Sequence, residues 1–183
     1  LNTRCFEEAL DSFPEVIAAL EGGADPVAQR PGGGQMHRRT DRPAAMGRLD
    51  FSRPAAELAR LVRGLDHGRY WNPLVTAMID TGREVLNVGA AEVVAGQGAP
   101  GAVLSAGPEG LVVACAGGAL RLNRLSCQVS GRAVSAAEVD ATWLPLPDAA
   151  EAAELSAAMA RIAPAEGALR ADLLALHPVV LPG

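Results

Sequence analysis

Between Leu74 and Val134 the apolar residues tend to recur at every second position in short runs, with Gly or Pro in most of the gaps between runs. That spacing belongs to a pleated strand with one buried face. The runs 75–79, 84–94, 102–106, 110–115, 119–126 and 128–130 are therefore expected as strands. Gly117-Gly118 is placed to close a tight hairpin between two of them. Ala99-Pro100-Gly101 and Gly107-Pro108-Glu109-Gly110 carry Pro and Gly where a turn needs their dihedrals. Strands this short and closely spaced predict a small, mostly antiparallel barrel.

The flanks have a helical texture. Phe6, Leu10, Phe13, Val16, Ile17 and Leu20 fall on one face of a helix closed by Gly22-Gly23, with Pro14 expected to break or restart it, at a cost of about 3 kcal/mol. Such a helix needs something to pack against. From Ala24 to Gly47 no period is visible, and the Gly, Pro, Arg and Gln content predicts a surface linker. Its Pro31-Gly32-Gly33-Gly34 run lacks the Lys-Ser/Thr and the strand-then-helix setting of a phosphate cradle. Ser52 is expected to cap a helix with Pro54 in its first turn, whose stripe is Leu58, Leu61, Val62 and Leu65. Asp50 and Arg63 are expected to pair and tie the start of that helix to its end. Ser135 and Glu138 form a capping box predicting a short helix that ends near Trp143. Ala-rich helices are expected over 148–162 and 166–176.

Composition narrows the function. Hydrophobic residues make up 49% of the chain, enough for a packed core, while aromatics at 3% leave that core to Ala, Val and Leu. The formal charge is -5 and every basic residue is Arg, so no general field draws nucleic acid. Cys5, Cys115 and Cys127 form no CxxC pair, and the latter two read as small buried hydrophobes in a reducing cytoplasm. No apolar run reaches the roughly 18 residues that span a bilayer. No signal peptide is visible, and a chain that opens without Met and closes on His177-Pro-Val-Val-Leu-Pro-Gly183 is expected to be a segment of something longer. His37, His67 and His177 are far apart and two lie within two residues of an Arg, which argues against a metal site. Neither Cys115 nor Cys127 shows the neighbouring His that a nucleophile needs.

The stretch from Leu49 to Leu74, LDFSRPAAELARLVRGLDHGRYWNPL, resembles the junction at which the catalytic domain of the methionyl-tRNA formyltransferase family meets its C-terminal barrel. The resemblance covers residues 5–144 in the family's order: a terminal helix, a linker with Gln29 and Gln35, the junction, a strand pair around Val85–Val94, APGAVL, LVVACAGGALRLNRL and GRAVSAAEV. His67-Gly-Arg-Tyr-Trp-Asn-Pro-Leu74 departs from the tRNA-formylating members and looks more like formyltransferase-like domains of nonribosomal peptide synthetases. The tail Leu169 to Pro182 is similar to the helix and Pro exit that lead into a following synthetase domain.

The resemblance implies an α+β fold: an OB-like barrel of the formyltransferase C-terminal type flanked by short helices. Four segments are expected: the last helix of an upstream catalytic domain (1–23), a linker (24–48), the barrel with its leading helix (49–144) and a helical linker towards a following domain (145–183). It implies an accessory part of an enzyme that moves a formyl group from 10-formyltetrahydrofolate to an amine. The family's catalytic Asn, His and Asp and its folate-binding stretches have no counterpart here, so no catalytic, cofactor-binding or metal residue is assigned and no cofactor is expected on this segment. Expected partners are the upstream catalytic domain and a carrier protein with a phosphopantetheine arm, whose approach Tyr70, Trp71 and Asn72 would meet. The acidic balance counts against tRNA. Asp50, Arg63, Pro100 and Gly101 are assigned structural roles. The alternatives are the C-terminal domain of a methionyl-tRNA formyltransferase, or a stand-alone barrel binding protein or nucleic acid. The latter would interleave aromatics with Arg along a strand, a pattern absent here.

Overall fold

The computed structural model describes residues 2–25, 27–28, 32, 38, 40–68, 72 and 75–176. The chain divides into two compact units, residues 1–37 and 38–183.

In the first unit α1 (Asn2–Glu21) is one continuous helix with Pro14 inside it, so the expected break does not occur. The side chain of Pro14 is exposed, and water can take the carbonyl that the missing N–H leaves without a helical partner. The helix closes as expected on Gly23, whose φ of 69° lets the Ala24 amide reach back to the Ala19 carbonyl at 2.9 Å.

The second unit is built on a six-stranded antiparallel sheet in the order β1-β2-β5-β4-β3, with β6 also paired to β5. Its strands are β1 (Ala77–Asp80), β2 (Val85–Val94), β3 (Val103–Gly107), β4 (Gly110–Cys115), β5 (Gly118–Cys127) and β6 (Ala133–Val134). With α2 (Ala55–Leu65) and the later helices this is the expected α+β, OB-like class. Both hairpin turns form as anticipated, with Gly107 opposite Gly110 and Cys115 opposite Gly118. The last expected strand lies elsewhere. Residues 128–130 form a turn in which Gly131 donates to the Cys127 carbonyl at 2.8 Å, and pairing resumes at Ala133.

Burial explains the sheet's phase. Along β1 and the start of β2 every second residue is buried, and β4 is buried almost throughout because both of its faces are covered. The core joins Leu58, Val62 and Leu65 of α2 to Ile79, Leu86, Val88, Leu111, Val113, Leu120 and Leu122 of the sheet. Gly101 (φ 91°) sits at the third position of the turn from Ala99, whose carbonyl accepts from the Ala102 amide at 2.9 Å. From there the chain is pinned on two sides: Gly101 donates to the Ala114 carbonyl, and its own carbonyl accepts from Leu144.

Three local expectations are corrected. Ser52 does not cap α2: Pro54 holds that position, while the carboxylate of Asp50 accepts the Ser52 amide and hydroxyl at 3.0 and 2.6 Å. Asp50 is thereby engaged two residues along, and among the described residues no ion pair joins it to exposed Arg63. The Ser135–Glu138 capping box forms with both bonds, yet its helix is a single turn, Ala136–Glu138. It stops because Val139 turns inward to the core and Thr142 then accepts from Val103, drawing the chain along β3.

The end of the connector meets the tail. Residues 44–47 pack against α3 (Ala149–Ile162), which shares the second unit with the sheet and is followed by α4 (Glu166–Ala175).

Candidate functional site

A polar cluster on the sheet lies where α2 ends. Gly89 in β2 faces Arg124 in β5, and both neighbouring pairs, Val88 with Leu125 and Ala90 with Asn123, keep one register. Arg124 nevertheless has a φ of 52°, left-handed for a residue with a side chain. The buried face changes phase at this point in both strands. Leu120 and Leu122 point inward on one side of Arg124 and Leu125 on the other, while Leu86 and Val88 are followed inward by Ala91. A Cβ on Gly89 would lie 3.0 Å from the Cβ of Arg124, so the absence of a side chain at 89 is what admits the twist at 124.

The Arg124 guanidinium donates to the Gly89 carbonyl and, at 2.6 Å, to Oδ2 of Asp66 just beyond α2. Oδ1 of Asp66 accepts the Gly68 amide at 3.0 Å. The Arg124 hydrogen bond, and then the Gly68 amide, hold the Asp66 carboxyl below the usual carboxylate range. A carboxyl more acidic folded than unfolded stabilises the fold above its unfolded pKa, and that contribution fades as pH falls through the lower folded value. Arg124 is 61% exposed, so solvent limits the pair to about 0.5 kcal/mol. Asp66→Asn is therefore expected to lower the urea midpoint slightly near pH 6, with the difference closing below about pH 4 as the parent's carboxyl is protonated. A difference constant down to about pH 2 would show that the charge at Asp66 contributes nothing.

Of the residues proposed to meet a partner, Tyr70 and Trp71 lie outside the described residues. Asn72 is described: its Nδ2 donates to the carbonyls of Leu65 and Val75, both at 2.9 Å, and so fastens the segment after α2 to the last turn of that helix. Half-buried and committed to the backbone, its amide nitrogen orients the segment. His37 and His177 lie outside the described residues, and His67 is half-buried beside Asp66. The alternation of Leu120, Leu122 and Leu125 was the one sequence signal that marked Arg124, since the period of two slips there.

A second feature is an open cleft of about 580 Å³ lined by Val94, Ala95, Gly96, Gln97, Cys115 and Gly118, among others. Its walls are backbone and small side chains. Burial pushes the Cys115 thiol up to about 11, so at neutral pH it is no nucleophile. Gln97, which lines the cleft, is exposed, so the cleft offers a pterin ring no enclosed amide there. The lining of this cleft thus does not fit a folate cofactor. No group of three or more His, Cys, Asp or Glu among them is arranged to hold a metal ion. No described helix is long and apolar enough to cross a membrane.

The sheet with its leading helix is the part that known proteins share. The family model described as formyl transferase, C-terminal domain, matches residues 43–140. The chain belongs to this family. Methionyl-tRNA formyltransferases of Pseudomonas syringae pv. tomato and Ectopseudomonas mendocina are each 49% identical to it over 78 residues, 43% of this chain and 23% of theirs. That of Pseudomonas putida is 47% identical over 88 residues, 48% of this chain and 26% of its own length. The chain thus spans about a quarter of the length of these relatives. In this formyl transferase C-terminal domain, Arg124, Asp66 and Asn72 shape the surface beyond α2.

Proposed function

We propose that the chain is the accessory C-terminal part of a formyltransferase that moves a formyl group from 10-formyltetrahydrofolate to an amino group. In this reading the reaction and the folate belong to an upstream catalytic domain of the parent. The OB-like unit buttresses that domain and shapes the path by which the amine arrives. The amine is an aminoacyl group on the phosphopantetheine arm of a carrier protein, as in formylating modules of nonribosomal peptide synthetases.

The observation that carries the choice of acceptor is the state of the arginines on the sheet. Arg121 is paired with Glu92, Arg124 with Asp66, Arg132 with Glu138, and Arg83 in the β1–β2 turn with Asp140. Docking of a phosphate backbone releases counterions from unneutralised cations, and a guanidinium already clasped by a carboxylate contributes little to that release. The net charge of -5 points the same way.

A second reading is favoured by a different observation. The relatives named above are methionyl-tRNA formyltransferases, and on their names the acceptor would be methionyl-tRNA. A fluorescence titration of the 183-residue chain with initiator tRNA and, separately, with an aminoacyl-carrier protein distinguishes the two. The carrier reading expects no saturable tRNA association at about 10 μM, near the middle of the non-specific range, even in low salt. Tight tRNA binding that weakens steeply as salt is raised would replace it with the second reading.

A further inference from the structure

We propose that α3 is a strap that holds the segment leading into the sheet in a strained left-handed turn, so that lifting α3 lets this segment relax. The strain is explicit. Ala45 and Met46 have φ of 48° and 55°, and Gly47 follows at 81°. Two non-glycine residues in succession in this region persist only where the surroundings hold them. The turn lies directly before Arg48 and Leu49, which join β1 through Met78: the Leu49 amide donates to the Met78 carbonyl at 2.8 Å.

What holds the turn comes from more than a hundred residues downstream. Ser156, in the middle of α3, accepts the Ala45 amide at 2.9 Å, while its own hydroxyl donates to the Ala152 carbonyl at 2.7 Å. Both hydrogen-bonding roles of that hydroxyl are thereby used, and the Ala45 amide is satisfied in a conformation that offers it no helical partner. On either side stand two nearly buried arginines. Arg48 donates through one nitrogen to Glu151 in the first turn of α3, and through the other to Asp80 at the end of β1, 2.9 Å away. Arg42 donates to Glu166, the first residue of α4. Arg48 therefore has one hand on the sheet and one on the strap. Met159 and Ala163 are buried, which adds an apolar contact to the polar ones. All these tail residues lie beyond the stretch matched by the family model, which ends at residue 140. The strap is thus an addition to the shared domain that governs the connector.

Hydrogen exchange on the full 183-residue chain tests this, followed in peptides covering 42–49 and 149–162. The double variant E151Q/S156A removes the carboxylate that Arg48 holds and the oxygen that receives the Ala45 amide. Met159→Asp undocks α3 by a separate route, setting a charge where the native side chain is 5% exposed. In both variants exchange is expected to rise by about tenfold or more in α3 and in 42–49 together, with β2 and β5 unchanged. Should α3 loosen in either variant while 42–49 stays as protected as in the parent, the turn holds itself and the proposal is overturned. It is equally overturned if 42–49 loosens alone, or if the double variant alters neither peptide. Should Met159→Asp unfold the unit, the double variant decides by itself.

Discussion

Phe51→Ala is expected to destabilise the second unit by about 3–5 kcal/mol, the cost of removing a large side chain from a core that cannot collapse around the gap. Phe51 is 1% exposed and is the one buried aromatic among the described residues; Phe6, Phe13 and Trp143 are all exposed. The other core side chains are aliphatic or small, so none can expand to fill a benzyl-sized void. The site is also fixed by backbone on both sides. The Phe51 carbonyl accepts from Ala116 at 3.0 Å, Leu49 is pinned to Met78, and the Asp50 carboxylate is tied to Ser52. Those bonds survive the substitution, which keeps the wall in place and the cavity open. Against a typical domain stability of about 5–15 kcal/mol this is about a fifth or more of the total. A urea midpoint is the measurement. The midpoint should fall sharply at unchanged slope, while Phe51→Leu should recover most of the loss. A shift below about 1 kcal/mol would show that the neighbourhood of residue 51 repacks freely.

The elements most legible in the sequence were those whose cause is local. The strands and hairpins were visible because a period of two and a Gly or Pro at each turn are properties of neighbouring residues. The expected strand at 128–130 failed on the same grounds. Its single apolar residue, Val129, is 90% exposed in the turn and has no inward partner to hold a ladder. Capping was half legible. Ser135 and Glu138 make both bonds of their box, but how far a helix runs depends on where the next segment is pulled, here by Thr142 along β3. Asp50 and Ser52 bond each other rather than Arg63 and the helix amides, because a side chain two residues away closes a turn at less entropic cost than one thirteen residues along. The polar arrangements that shape the surface were scarcely legible. Arg48 meets Glu151 across 103 positions and Arg42 meets Glu166 across 124, and no spacing rule links residues so far apart. Arg124 left a trace only because its backbone shifts the inward phase of β5, a signal that looks like an ordinary interruption until Gly89 is seen opposite. The same reasoning limits the candidate site. The Asn72 amide nitrogen donates to two carbonyls that orient the segment after α2, a pairing that no sequence spacing announces.

Gly101→Ala should cost about 3 kcal/mol, at the upper end of what a single strained backbone position carries. Two effects add there. The φ of 91° is one that a residue with a Cβ rarely adopts, and a Cβ at this position would lie 2.6 Å from the Leu144 carbonyl oxygen, with the Trp143 ring at 3.2 Å. Neither neighbour can retreat cheaply. The Leu144 amide is bonded to the Gly101 carbonyl at 2.8 Å, Ala102 and Trp143 form a bridge, and the Leu144 side chain is buried in the core. Moving the 142–144 segment outward would break the two bonds that close the chain onto β3 and draw Leu144 from its place. Gly117 separates the two causes. Its φ of 76° is also left-handed, but nothing stands within 4 Å of where its Cβ would go, so Gly117→Ala meets dihedral strain alone, about 1–2 kcal/mol. Gly107, with open space and no positive φ, is the reference at which Ala should be nearly neutral. Urea midpoints for the three variants should therefore fall in the order Gly107, Gly117, Gly101, the last lowest. Equal midpoints for Gly101→Ala and Gly117→Ala would mean that the close approach of Leu144 is not maintained, and that the Pro100-Gly101 turn serves only to reverse the chain.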